Sequence, residues 1–253
     1  MPIPQQNIFD ELRPYARLTI VPGVTVGDLN FVANADLYSA GVITNTAGLV
    51  ASDANVKLFD KGIGSTGQGW TGGLTESQTN VKFDSGRIGA NQCYVGTHCS
   101  FAISMVDSTD PSLGNTITHS LFSSADALWS VATNFSWDYT WGRGMTRNIG
   151  PLAQWPAASG VYGITAQGNT NPVGAAPAAA TVVPMYAAQN GAPDCLARKL
   201  AEPIIFAPLV QSEMVVSCGN GFTMQGLDAT IGGYYIQILC TLKGFLFTMP
   251  VGG

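Results

Sequence analysis

Residues 79–106 read TNVKFDSGRIGANQCYVGTHCSFAISMV and contain the clearest structural pattern in the chain. From Cys93 onward, two sets of residues alternate along this stretch. This period-2 pattern predicts a β-strand with one face on a core and a small or polar opposite face. At about 3.3 Å per residue the strand is roughly 40 Å long, so it needs a barrel or sandwich wall beside it. The predicted inward set comprises Cys93, Val95, Thr97, Cys99, Phe101, Ile103 and Met105, and the opposite set comprises Tyr94, Gly96, His98, Ser100, Ala102 and Ser104.

A second alternating run, residues 234–247, predicts another long strand near the end of the chain. Gly244 within it predicts a bulge or a bend. Residues 129–141 (WSVATNFSWDYTW) alternate as well and predict a third strand, although the polar residues 123–126 just before them are typical of a helix start. Short apolar fragments elsewhere predict short strands and long loops, so the whole chain is expected to be all-β. The inward set of the second run comprises Tyr234, Ile236, Ile238, Cys240, Leu242 and Leu246.

The chain is unusually poor in charged residues. Only 11% of its 253 residues are Asp, Glu, Lys or Arg, whereas an ordinary soluble domain carries about 25%. Because charge keeps a monomer soluble and apart from its neighbours, this composition indicates that other chains cover much of the surface. The net charge of −5 and the lack of any block of Lys or Arg argue against an electrostatic grip on nucleic acid.

The cysteines and the first residues bear on where the protein is made. Five cysteines, an odd number scattered along the chain, indicate reduced and buried thiols rather than a disulfide framework. This pattern favours a protein made in a cytoplasm. The first twenty residues lack a basic segment followed by an apolar one, so no secretory signal is expected.

Residues 1–16 are expected to form an N-terminal arm, because Pro2 and Pro4 discourage regular structure. In one interpretation the arm packs on a neighbouring subunit. In the other it contacts a lipid surface peripherally, for which Arg13 and Arg17 would supply a modest charge. We divide the chain into two segments. Residues 1–74 comprise an arm and a loop-rich β region, and in one interpretation this region is part of a first barrel. Residues 75–253 form the main barrel domain.

Two motifs suggest ligand chemistry but have simpler explanations. Gly62, Gly64 and Gly67 have the spacing of a dinucleotide fingerprint. Neither a helical period nor a βαβ pattern follows them, which favours a flexible loop. Asp107 and Asp110 have hydroxyl residues between them and offer oxygen ligands for Ca²⁺, but a turn closed by the following proline explains the same residues.

The tryptophans of the middle region allow two interpretations. On one alternating face, Trp129, Trp137 and Trp141 would form either a platform for carbohydrate or, more simply, part of a barrel wall or subunit interface. If the protein binds a receptor, we expect Trp137, Trp141 and Trp155 to be its contact residues.

Catalysis is not expected. A hydrolytic triad needs a histidine beside a nucleophile, and the chain has only His98 and His119. In a regular strand His98 lies on the opposite face from Cys93 and Cys99. These two cysteines lie roughly 20 Å apart along the strand, too far to share a disulfide or one zinc ion. We therefore assign no catalytic, cofactor-binding or metal-binding residue. Paired carboxylates cannot be judged from sequence, because their pairing is spatial.

Several segments resemble one known family. TNVKFDSGRIGANQCYVGTHCSFAI, residues 79–103, is similar to the start of the barrel in jelly-roll capsid proteins of tailless icosahedral bacteriophages with an internal membrane, the corticovirus- and tectivirus-like lineage. That family has a Thr-Asn strand, a Gly-containing loop, a short turn ending in Asn-Gln and a long core strand. The resemblance covers about residues 75–250. It departs at Ile88-Gly89, where the family has Leu-Pro, and residues 1–74 have no counterpart. Further similar segments are residues 149–163, 190–193, 202–219 and 234–250.

The resemblance implies an eight-stranded antiparallel jelly-roll barrel, either single or compact double, with long loops. It implies a structural capsid subunit that assembles over an internal lipid membrane and resides in the virion. Its expected partners are copies of itself in trimers or pseudo-hexameric units, other capsid proteins, and internal membrane lipids or membrane proteins. Two alternatives are a vertex or spike protein that binds a host receptor and, less favoured, a carbohydrate-active β-sandwich enzyme.

Overall fold

The structure is a computed structural model, and it describes residues 12–45, 49–83, 87–106, 108–111, 125–141, 145–155, 163–168, 183–188, 198–223 and 235–249. Within them the chain is predominantly antiparallel β-sheet, which confirms the predicted all-β class. The elements are β1 (Thr19–Val21), β2 (Val24–Thr25), β3 (Asn30–Ile43), β4 (Leu49–Val50), β5 (Asn55–Leu58), β6 (Gln92–Val106), α1 (Ala125–Asn134), β7 (Ser136–Trp141), β8 (Met145–Pro151), β9 (Gly163–Gly168), β10 (Val183–Ala188), β11 (Arg198–Phe206), β12 (Ser212–Ser217), β13 (Phe222–Thr223) and β14 (Tyr235–Thr248), with 3₁₀ turns at Arg13–Tyr15, Val26–Asp28 and Leu152–Gln154.

Two four-stranded sheets dominate the described part of the chain. The first sheet has the order β11-β6-β14-β3, and the second has the order β5-β12-β7-β8. All pairings within them are antiparallel. Among these eight strands the first pairs with the last, the second with the seventh, the third with the sixth and the fourth with the fifth. The chain is therefore one long antiparallel ribbon folded back on itself and divided between two sheets. Strands β3 and β5, which precede residue 75, pair with β14 and β12, so both predicted segments supply strands to the same sheets.

The main core lies between the two sheets. The first sheet contributes Tyr94, Phe101, Ile204 and Leu242, among others, and the second contributes side chains such as Trp137. In β14 the predicted inward set is confirmed: four members are buried in this core and a fifth is half-buried against it. The buried members are Ile236, Ile238, Cys240 and Leu242; Leu246 is the half-buried one, and Tyr234 lies outside the described residues.

The predicted face of β6 is correct in its second half and wrong in its first. Cys99 and Phe101 face the main core as predicted, but so does Tyr94, while Cys93 and Val95 lie in a separate apolar cluster on the outer face. The pairing with β14 shifts between Lys243 and Gly244 so that Thr97 is an extra residue. This β-bulge reverses the alternation, because one inserted residue turns every following side chain to the other face.

The strand predicted over residues 129–141 is helical in its first half. The helix α1 covers Ala125–Asn134, and its last turn is closed by the Asn134 side chain, which donates to the Ser130 carbonyl at 2.7 Å. Trp137 and Tyr139 of β7 then alternate inward as predicted. The polar residues at 123–126, which are typical of a helix start, thus predict the structure of this segment better than the period-2 pattern that follows them.

Two layers of chain cover the outer face of the first sheet at its opposite ends. Residues 12–29 supply Leu12, Ile20 and Val26, which pack on the outer cluster at one end. The glycine-rich loop, residues 60–80, supplies Trp70 and Leu74, which form a third apolar cluster at the other end. The two layers therefore cover most of the outward-facing apolar residues of the first sheet, and the middle of this face remains open.

Candidate functional site

The cysteine and histidine residues of β6 do not form a catalytic pair. Cys99 faces the core, where its Sγ lies 3.6 Å from Sγ of Cys240, while His98 projects from the opposite face. The prediction that His98 also faces away from Cys93 is wrong, because the bulge places both on the outer side. Burial raises the pKa of Cys93 to about 12, so this thiol carries no nucleophilic thiolate near neutral pH. His119 lies outside the described residues.

The calcium hypothesis gains no support from the described residues. Asp107 lies outside them, and Asp110 lies in a turn where its backbone N–H donates to the Ser108 hydroxyl oxygen at 3.0 Å. Within the described ranges, no group of three or more His, Cys, Asp and Glu side chains is placed to hold a metal ion.

The glycine fingerprint belongs to a loop whose conformation is fixed by contacts with the first sheet. The N–H of Gly64 donates to the Leu74 carbonyl at 2.7 Å, and the N–H of Ile63 donates to the Val81 carbonyl at 3.1 Å. A phosphate-binding loop needs such groups to point at its ligand, just before a helix. Here the N–H groups of Ile63 and Gly64 donate to backbone carbonyls of the same chain, and the loop leads into further turns.

Gln68 fixes this loop against β3, which the sequence prediction of a flexible tract did not anticipate. Its side-chain Oε1 accepts hydrogen bonds from the Ser39 hydroxyl and the Asp60 N–H, each at 3.1 Å. Its Nε2 donates to the Ala40 carbonyl at 2.8 Å, and Trp70 Nε1 donates to the same carbonyl at 3.0 Å. The loop is therefore a structural cover for the sheet.

Two of the three candidate contact tryptophans are core residues. Trp137 is fully buried and Trp155 is 4% exposed, with ring centroids 5.1 Å apart at an interplanar angle of 82°. The ring centroids of Phe101 and Trp137 are 5.2 Å apart, and the Arg198 guanidinium lies 4.8 Å from the Trp155 ring centre. Neither ring is available as a platform for carbohydrate or as a receptor contact.

Trp141 is only half-buried and lines a cleft of about 490 Å³ between the N-terminal segment, β7 and β11. The Tyr15 hydroxyl donates to the Leu200 carbonyl at 3.2 Å and so joins the segment to β11 beside this cleft. The lining combines aromatic rings with one cation and one carboxylate, and comprises Pro14, Tyr15, Arg17, Leu18, Tyr139, Trp141, Ala201, Glu202, Pro203 and Ile205.

A polar band crosses the outer face of the first sheet between its two apolar covers. We define the band as two rows of directly opposed residues. The first row runs across β11, β6, β14 and β3, and the second runs across β6, β14 and β3. The first row is Lys199, His98, Lys243 and Asp36, and the second is Ser100, Thr241 and Tyr38.

The side chains of the first row project outward, because the chain neighbours Leu200, Cys99 and Leu242 are buried in the main core. Lys199 and Asp36 are exposed, and His98 and Lys243 are half-buried. Sequence reasoning missed this grouping because its members come from four strands separated by long stretches of chain. Only the sheet order brings them together.

Comparisons with protein-family models, with curated proteins and with solved structures found no match for this chain. Among the described residues, no helix is both long enough and apolar enough to cross a bilayer.

Proposed function

We propose that the chain is a structural subunit that self-assembles into an icosahedral shell, of the kind found in tailless bacteriophages with an internal membrane. The two sheets then form a jelly-roll barrel. The order of the strands carries this proposal. Numbered along the chain, the sandwich strands lie in the orders 1-8-3-6 and 2-7-4-5, as expected when one antiparallel ribbon is rolled into a double-sheet jelly roll. Capsid proteins are among the classes that use this architecture.

The single-barrel form is the one that the strand pairing favours. All eight sandwich strands come from residues 30–248 and pair within one ribbon, so the described chain supports one barrel rather than a compact pair. The N-terminal segment, residues 12–29, packs on this barrel's own outer face. In the proposed shell the residues before it remain a candidate contact with neighbouring subunits or with lipid.

The surface composition supports association with further copies. The chain has 11% charged residues, and large apolar side chains stay exposed on the isolated subunit, among them Val32 at 50% and Leu209 at 66%. Burying apolar surface contributes about 25 cal/mol per Å² before the costs of association, so many modest contacts repeated by symmetry can close a shell. Trimers or pseudo-hexameric units within a virion are the proposed assemblies.

The receptor-binding alternative is not favoured, because Trp137 and Trp155, two of its proposed contact residues, are buried in the core. The test of the shell proposal is size-exclusion chromatography with light scattering over a range of protein concentrations. We expect trimers or larger symmetric species whose proportion rises with concentration. A monomer at every concentration contradicts the proposal.

A further inference from the structure

We propose that the polar band binds a small phosphate-type oxyanion, held mainly by Lys199, His98 and Lys243. This inference is independent of the shell function, because it rests on one face of one subunit. In the pairing of the first sheet, His98 stands directly opposite Lys199 on one side and Lys243 on the other. Neighbouring strands are about 4.8 Å apart, so three basic side chains leave the sheet within roughly 10 Å of one another.

Such a grouping is unexpected in this chain on composition alone. The whole sequence has 11 Lys and Arg residues and two His residues among 253. Lys199 and Lys243 are not directly opposed but lie on either side of His98, one strand away each, so their like charges repel across roughly 10 Å. An oxyanion placed over the row offsets this repulsion by forming charge-assisted hydrogen bonds to both ammonium groups. The ion pairs formed among the described residues involve neither Lys199 nor Lys243.

The surroundings of the row complete a site for an oxyanion. The Thr97 hydroxyl lies 2.9 Å from Nδ1 of His98 and holds the imidazole ring. The half-buried Thr241 follows two positions further along the same face, about 7 Å away, whereas Ser100 opposite it is only 3% exposed. Asp36, opposite Lys243 at the far end of the row, marks the limit of the site, because its carboxylate repels an anion.

The shape of the face favours a small free ligand over a membrane surface. The apolar cluster under residues 12–29 includes Val95 and Phe245, one row to one side of the basic row. The cluster under the glycine-rich loop includes Leu239, one row beyond Thr241. The band is thus the floor of a groove two rows wide between two layers of chain. A phosphate ion fits such a groove, whereas a flat bilayer meets the covering layers first.

The test is calorimetric titration of the full-length protein with inorganic phosphate in a low-salt, phosphate-free buffer at pH 7. We expect saturable binding to the wild type, and binding about a hundredfold weaker for K199Q/K243Q, since each of the two lost charge-assisted hydrogen bonds is worth at least about tenfold in affinity. K199R/K243R is expected to retain binding. K57Q, on the second sheet, is the matched control and is expected to bind as the wild type does.

Three results would overturn the proposal. One is no measurable binding of phosphate to the wild type. Another is equal affinity for the wild type and K199Q/K243Q when circular dichroism shows both to be folded. A third comes from a parallel arm with vesicles of phosphatidylcholine and phosphatidylglycerol: binding to vesicles that depends on Lys199 and Lys243, without binding of free phosphate, assigns the row to a lipid headgroup instead.

Discussion

Gly244 of β14 lies against the backbone of Val95 in β6, so closely that a Cβ on Gly244 would be 2.2 Å from the Val95 carbonyl oxygen. The bulge at Thr97 occurs at this point, and it divides β6 into a half whose odd-numbered residues face outward and a half whose odd-numbered residues face the core. The close approach and the reversal are one feature. It allows a single strand to serve the main core and the outer apolar cluster.

Replacing Gly244 with alanine is therefore expected to destabilise the fold. The added methyl group would meet backbone that cannot rotate away, and overpacking of this kind costs about 1–3 kcal/mol. Urea denaturation is the measurement, and the midpoint should fall. Gly89→Ala is the control, because the nearest atom to its added Cβ is a Gln92 side-chain oxygen at 3.7 Å. Equal midpoints for the two variants would show that the two strands do not approach this closely.

Phe101→Asp is expected to abolish soluble folded protein. Phe101 is 2% exposed and packs on Trp137, so the substitution places a charge in the main core. Expression and solubility are the measurements, with Asn55→Asp at an exposed position of β5 as the control. Soluble Phe101→Asp protein with wild-type circular dichroism would contradict the inward orientation of this residue.

Gln68→Ala is expected to loosen the glycine-rich loop from β3. The substitution removes the acceptor of the Ser39 hydroxyl and of the Asp60 N–H, and a buried unsatisfied group costs about 1–3 kcal/mol. The Ala40 carbonyl loses its Gln68 donor but keeps the hydrogen bond from Trp70. Limited proteolysis should cut within residues 60–80 faster than in the wild type. Gln92→Ala, at an exposed position, provides the matched comparison. If both variants are cut at the wild-type rate, Gln68 does not hold the loop.

The Cys93 thiol predicts a specific loss of stability at alkaline pH. Its pKa is raised by burial from the usual 9.0 to about 12, so the unfolded chain ionises first as the pH increases. The contribution of the protonated Cys93 thiol to the free energy of unfolding is fully present below about pH 9 and falls between about pH 9 and 12. Cys93→Ala should show a shallower decline of the urea midpoint over the accessible part of this range. The same slope for both proteins would contradict a buried, protonated Cys93 in the fold.

The sequence predicts the long strands well, because their alternation reflects burial on one face. The inward residues Ile236, Ile238 and Cys240 follow from that pattern alone. The bulge at Thr97 does not, because an extra residue exists only relative to the partner strand. The prediction of a strand is wrong for the first half of residues 129–141, because a short helix can also have apolar residues at alternate positions.

The candidate site was beyond sequence reasoning for a different reason. Lys199, His98 and Lys243 lie far apart in the chain, and no local spacing connects them. They become neighbours only through the order β11-β6-β14 in the first sheet. Trp137 and Trp155 meet because β7 and β8 pair and return the chain to Trp137. The aromatic-rich sequence alone does not distinguish such a core contact from a binding platform.

Electron microscopy of the purified full-length protein, concentrated until it associates, is the decisive test of the shell-subunit proposal. The proposed jelly-roll shell subunit predicts closed icosahedral particles or regular trimeric capsomers in which the two sheets of each subunit are visible. A chain that remains monomeric, or that associates only into irregular aggregates, would contradict it.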